Sequence, residues 1–116
     1  MRTPLTPDTA QVGMFVDARL VTDTEVWEII AKTAKTITVR DCRQLMDSDG
    51  HPLMAGTWPH VEYAITSNPD GFVQTLRFRK DGTFRLARWA RPLYPAYLQE
   101  FPDGNRYPTE YRDWSY

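Results

Sequence analysis

One cysteine, two histidines and a formal net charge of −1 across 116 residues exclude several chemistries at the outset. A lone thiol, Cys42, permits no internal disulfide and no multi-cysteine zinc site, and His51 and His60 complete no metal site without carboxylates. The chain also lacks charge of one sign. With 14 Lys and Arg against 15 Asp and Glu, it has no general attraction for a polyanion, so nucleic-acid binding is not favoured and would have to rest on local clustering. No apolar run reaches the roughly 18 residues of a membrane-spanning helix. Residues 1–11 lack the charged-then-apolar layout of a secretory signal. A cytoplasmic protein without a membrane partner is therefore expected, since a reducing compartment suits a chain with no disulfide framework.

The chain has an ordinary globular balance, 41% hydrophobic and 25% charged residues, enough for one domain with one core. Residues 1–11 carry Pro4 and Pro7 among polar residues without any period and read as a flexible arm. Residues 12–88 read as a β domain. Met14–Val21 is short, rich in β-formers and closed by Thr22-Asp23-Thr24, the outline of a strand and turn. Residues 25–42 are ambiguous. Val26, Ile29, Ile30 and Ala34 also fit helical spacing, and Thr22 with Glu25 resembles a capping box. The β-branched run Thr36–Val39 favours a hairpin, which sets Ala31 against Ile37, Ile29 against Val39, and Glu28 against Arg40 on the outside.

Residues 45–59 read as a long loop anchored to the core by Trp58-Pro59. Residues 60–88 then alternate like strands and are broken at Asn68-Pro69-Asp70-Gly71 and Lys80-Asp81-Gly82, where glycine supplies the left-handed turn residue. Matching apolar faces gives a three-stranded meander with Val61 opposite Phe78, Tyr63 opposite Leu76, Phe78 opposite Phe84 and Leu76 opposite Leu86. Glu62, Arg77 and Arg85 then stack in one outward row. After Arg88 the composition becomes aromatic and proline-rich. This 89–116 tail, with one short helical turn at residues 94–101, is expected to cover a sheet face or a partner, because large rings are costly to leave solvated.

Arg77, Arg79 and Arg85, with Lys80, Arg88 and Arg91 nearby, form the concentrated basic feature. Guanidinium forks suit phosphate and carboxylate. The alternative is a surface salt-bridge lattice in which Glu62, with Glu25 or Glu28, neutralises the row. Asp47-Ser48-Asp49-Gly50 begins like a calcium loop, but no Glu stands at the twelfth place, and a polar turn is expected. Cys42 lacks any local catalytic signature, and no Gly-rich phosphate loop, nucleophile elbow or HExxH motif occurs. The tail rings either furnish stacking and contact surfaces or serve as a lid on the sheet.

Val12-Gly13, Thr22-Asp23, the run Lys35–Val39, Tyr63 followed by Asn68–Gly71, Phe78–Gly82 and Tyr111–Tyr116 together form a pattern that spans most of the chain. In these features the chain resembles a group of small proteins encoded by bacteriophages and prophages. The resemblance implies a phage or prophage origin and a β-rich, SH3-like fold, and it carries over no catalytic residue and no cofactor.

The expected architecture is thus a mainly β, partly open antiparallel SH3-like barrel of five to six strands, with the tail packed on it or on a partner. The expected function is non-catalytic binding that blocks or sequesters a host component, such as a host protein or a nucleotide-like small molecule, in a counter-defence role. Arg77, Arg79, Arg85, Arg88, Trp89, Tyr94 and Tyr97 are the expected contact residues, with Arg85 foremost because Glu62 offsets Arg77. A nucleic-acid-binding module, and a virion or assembly protein that oligomerises through the tail, are the alternatives.

Overall fold

Apolar side chains on both faces of one strand explain why residues 25–42 read ambiguously. In this computed structural model, which describes residues 5–19, 24–87, 93–99 and 109–113, Thr24–Lys32 is strand β2. Val26 points into one apolar cluster while Trp27 and Ile29 point into another. A strand buried on both sides loses the simple alternation that marks a half-exposed one. β2 pairs antiparallel with β1 (Phe15–Arg19) along one edge and with β3 (Thr36–Asp41) along the other.

The β2–β3 register sets Glu28 opposite Arg40 and Ile29 opposite Val39, as the sequence suggests. It then slips at Ile30, so that Ala31 faces Thr38 and Lys32 faces Ile37. A bulge of this kind bends a strand and re-aims the side chains beyond it. Lys32 thereby reaches the N-terminal segment, where its Nζ donates to the carbonyls of Pro7 (3.0 Å) and Ala10 (2.6 Å). That segment is not the loose arm its composition suggests. Leu5 and Ala10 belong to the larger core, and Thr6 and Thr9 close a turn between them.

From β1 the sheet continues through β9 (Leu93–Leu98) to β8 (Phe84–Ala87), and from β3 it continues to β7 (Val73–Arg77). The path β8-β9-β1-β2-β3-β7 curls, because its two ends are joined by the short turn at residues 78–83 and the rings of Phe78 and Phe84 meet there at 5.0 Å. The larger core fills the concave side, with Val16, Ala18, Trp27, Ile29, Ile37, Val39, Leu76, Phe84 and Leu86 pointing inward. A second group forms against the other face of β2. There β6 (His60–Thr66) pairs with β10 (Thr109–Asp113) on one edge and with the short β4 (Arg43–Gln44) and β5 (Met54–Thr57) on the other. Val61, Tyr63 and Ile65 of β6 join Val26 in the smaller cluster.

Ten strands lie among the described residues, all antiparallel, rather than five or six. The architecture is mainly β, a curled half-barrel sheet with an added lobe. Several sequence expectations change. β6 and β7 do not form a hairpin: Leu76 faces Ile37 rather than Tyr63, and Val61 faces Arg112 and Gly56 rather than Phe78. β8 pairs with β9, so Leu86 faces Tyr94 and not Leu76. The first strand is described over Phe15–Arg19, and the rest of its expected extent, residues 20 and 21, lies outside the described residues. Residues 94–98 are strand rather than helical turn. Residues 45–59 contain β5 and a Met46–Pro52 bridge, and Trp58 is 68% exposed instead of anchoring the loop.

The described parts of the tail are therefore sheet strands of this chain. One side chain ties them together: the Gln99 amide donates to Asp17 Oδ2 (3.1 Å) and to the Thr109 carbonyl (2.8 Å), and its oxygen accepts the Thr109 N–H (2.7 Å). This also satisfies Asp17, a buried carboxylate on β1, as buried polar groups require.

Phe84→Ala, which empties a fully buried ring position, is expected to lower unfolding free energy by about 3–5 kcal/mol, measured by urea titration. Deleting residues 103–116 removes β10 from between β6 and β2. The truncated chain should lose its cooperative thermal transition by circular dichroism; a sharp transition near the full-length midpoint would show that β10 is dispensable.

Candidate anion-binding groove

Strand alternation puts Leu76 of β7 into the core and leaves Thr75 and Arg77 exposed. Immediately beyond, Arg79 N–H donates to the Thr83 carbonyl (2.9 Å) and Gly82 N–H to the Arg79 carbonyl (3.0 Å). Gly82 takes φ of 82°, a conformation that side chains disfavour. This tight turn holds Arg79 and Lys80 at the rim of the curled sheet. Phe78 N–H donates to the Lys35 carbonyl (2.8 Å), which draws the β2–β3 turn alongside.

Together these elements enclose a groove of about 1080 Å³, walled by Gln74 to Phe78 of the β7 edge, by Arg79, Lys80 and Asp81 of the turn, and by Lys35 and Arg85. Among the described residues, five cations, Lys35, Arg77, Arg79, Lys80 and Arg85, therefore face one groove against the single carboxylate of Asp81. That carboxylate is already engaged. Its Oδ1 accepts the Thr83 hydroxyl (2.6 Å), which holds the Asp81 carboxyl below its ordinary range, and its Oδ2 meets Arg85 at 3.3 Å.

The expected row of Glu62, Arg77 and Arg85 is not formed. It depended on β6 lying beside β7, whereas Glu62 lies opposite Tyr111 and Ala55 on the other lobe. Nor does Glu28 neutralise the arginines, because it pairs with Arg40 at 3.1 Å and accepts the Ser67 hydroxyl at 2.9 Å. Glu25 accepts the Trp27 indole N–H at 2.9 Å. Among the described residues, Arg85 has an acidic partner while Arg77 and Arg79 have none within salt-bridge distance. The offset expected from the sequence, Glu62 against Arg77, is thus replaced by Asp81 against Arg85.

Of the other expected contact residues, Arg88 and Trp89 lie outside the described residues. Tyr94 falls on β9 opposite Leu86, and Tyr97 on β9 opposite Asp17, 38% exposed. Tyr97 does not line the groove. Sequence reading missed Lys35, Thr75 and Phe78 as groove residues. Only the pairing of β3 with β7 brings Lys35 to Arg77, and no local pattern signals that pairing.

The remaining candidates carry little chemistry. Burial, reinforced by the nearby carboxylates of Glu28, Asp41 and Glu110, pushes the Cys42 thiol far up, which denies it the thiolate that nucleophilic attack requires. His60 Nδ1 lies 2.9 Å from the Tyr111 hydroxyl, with the two rings stacked. In the 47–51 loop, Asp47 Oδ1 accepts the N–H groups of Asp49 (2.8 Å) and His51 (3.0 Å), a polar turn stabilised by its own aspartate. No family model, curated protein or solved structure matches the chain.

Glu110 is the buried carboxyl that the second lobe perturbs. Its Oε1 accepts the Val26 N–H at 3.2 Å and its Oε2 meets Arg112 at 3.3 Å. Burial nevertheless outweighs these contacts and raises its carboxyl above the ordinary value of 4.5. A raised folded-state value means that the folded chain holds its proton more tightly than the unfolded one. Stability from this group is full below pH 4.5 and declines as pH rises through the folded-state value. The melting temperature of the wild type relative to Glu110→Gln should accordingly be higher at pH 4 than at pH 7; an equal difference at both would place Glu110 in contact with solvent.

Proposed function

We propose that this chain is a non-catalytic binding module of phage or prophage origin that captures an anionic ligand of its host in the β7 groove and thereby blocks or sequesters that component. The observation that carries this reading is the convergence of five cations on one groove, four of them, Arg77 and Arg79 included, without an acidic partner within salt-bridge distance among the described residues. Like charges clustered on a sheet edge repel one another, so leaving them uncompensated is costly unless an anion is brought to them. Guanidinium groups of Arg77 and Arg79 suit bidentate contact with phosphate or carboxylate. The half-buried Phe78 gives the groove an apolar floor beside that charge. An SH3-like description of the curled sheet, and a counter-defence role, rest on the phage-type sequence pattern.

Tripolyphosphate serves as a defined anionic probe in isothermal titration calorimetry. The double substitution Arg77→Ala with Arg79→Ala should weaken binding at least tenfold and leave the melting temperature within about 2 °C of wild type, since exposed side chains contribute little to stability. Arg85→Ala should weaken it less. Affinity should fall as salt rises, since the contacts are solvent-exposed charges. Unchanged binding by the double variant would remove the groove as the site.

A further inference from the structure

The groove is also a seam between two strand edges. Phe78 N–H bonds to the Lys35 carbonyl and Asp41 N–H to the Phe72 carbonyl, so in the antiparallel β3–β7 register Phe72, Gln74, Leu76 and Phe78 turn their main-chain groups toward β3. The N–H and C=O groups of Val73, Thr75 and Arg77 consequently point the other way. On β9, Gln99 N–H bonds to the Phe15 carbonyl and Tyr97 pairs with Asp17, so Ala96 and Tyr94 turn toward β8 and occupy the main-chain groups of Phe84 and Leu86. Arg85 and Ala87 then point their main-chain groups toward β7. Beyond the 78–83 turn the two strands do not pair, and among the described residues β7 is bonded to β3 alone.

An unpaired strand edge is a template for another strand. The cations that line it select which one. Arg77, Arg79, Lys80 and Lys35 repel a second copy of the same edge and attract carboxylates placed at every second residue of an extended chain. The alternate side chains of such a strand would face Leu76 and Phe78, the apolar side of the groove. Resting on the reading of the groove as an anion site, we propose that its natural occupant is an extended, acidic peptide segment of a partner protein that adds a strand to the outer edge of β7, paired to the main chain of Val73, Thr75 and Arg77.

The test uses the full chain and a fluorescent peptide of alternating glutamate and valine, with binding read by anisotropy. Three comparisons accompany it: the same peptide N-methylated at every second amide, the lysine-for-glutamate peptide, and tripolyphosphate. The acidic peptide should bind, methylation of the amides that face β7 should weaken it at least tenfold, and the lysine peptide should not bind. Thr75→Pro, which removes an outward N–H and leaves the β3-facing groups in place, should weaken the acidic peptide at least tenfold and leave tripolyphosphate binding within twofold. Should that variant fail to fold, the methylated peptide on the wild-type chain decides the matter by itself.

Tripolyphosphate binding with no peptide binding, or equal binding of methylated and unmethylated peptides, would overturn strand addition and leave the anion site standing. If Arg77→Ala with Arg79→Ala changes neither probe, the anion site itself falls. Self-association that Thr75→Pro abolishes would assign the edge to a second copy of the chain and overturn the acidic partner.

Discussion

Burial of β2 on both faces is the constraint on which the fold rests. Val26 is fully enclosed by the smaller cluster, and Trp27 and Ile29 by the larger one. Each such side chain contributes about 1.5–3 kcal/mol on leaving water, so the strand needs a layer on either side. The curled path of β8, β9, β1, β3 and β7 supplies one layer, and β6 with β10 supplies the other. Charged residues on this strand are drawn inward as a result. Glu28 and Arg40 are opposed as an ordinary surface pair would be, yet the second lobe half-buries them and leaves Arg40 Nε enclosed without a partner among the described residues.

The same arrangement explains why the cationic groove lies where it does. A curled sheet either closes or ends in two edges. Here the ends are β7 and β8, joined by the turn at residues 78–83; each is bonded along one edge, to β3 or to β9, and among the described residues the two do not pair with each other. Outward-facing residues near that turn are Arg77, Arg79, Lys80 and Arg85, and the β3 pairing adds Lys35. Their charge keeps the edge from associating with its own kind, and it defines the chemistry of anything that does bind there. Under the proposed function, ligand capture and protection against aggregation draw on the same side chains.

Short-range features were legible in the sequence. The Asn68–Gly71 and Lys80–Gly82 turns form, with Gly71 N–H bonded to the Asn68 carbonyl at 2.9 Å, but of the two glycines only Gly82 takes the expected left-handed conformation; at Gly71 a Cβ would meet the Asp41 carbonyl oxygen instead. The β2–β3 register is as expected on the turn-distal side of Ile30 and shifts only at the bulge. The ring contact of Phe78 with Phe84 is also as expected. Partner choice was not legible. Leu76 packs as well against Ile37 as it would against Tyr63, and an apolar face carries no mark of which strand will meet it. A turn at residues 68–71 fits a hairpin, but in this chain it leads from β6 in one lobe to β7 in the other. That one reassignment moved Glu62 away from the arginines and altered which of them is paired.

The tail shows the same division. Its rings and prolines announced that it would pack, and β9 and β10 do pack, but their places between other strands depend on Gln99, Asp17 and Thr109 meeting across 82 and 10 residues of chain. By itself the sequence determined composition, strand character, turn positions and the presence of a basic cluster, because these depend on the conformational preferences of neighbouring residues. Tertiary structure alone decided which strands pair, which carboxylates reach which cations, and that Arg77 and Arg79 face a groove with no acid to meet them among the described residues. Those outcomes rest on contacts between residues far apart in the chain, and such contacts are selected by the burial of the whole core rather than by any local pattern.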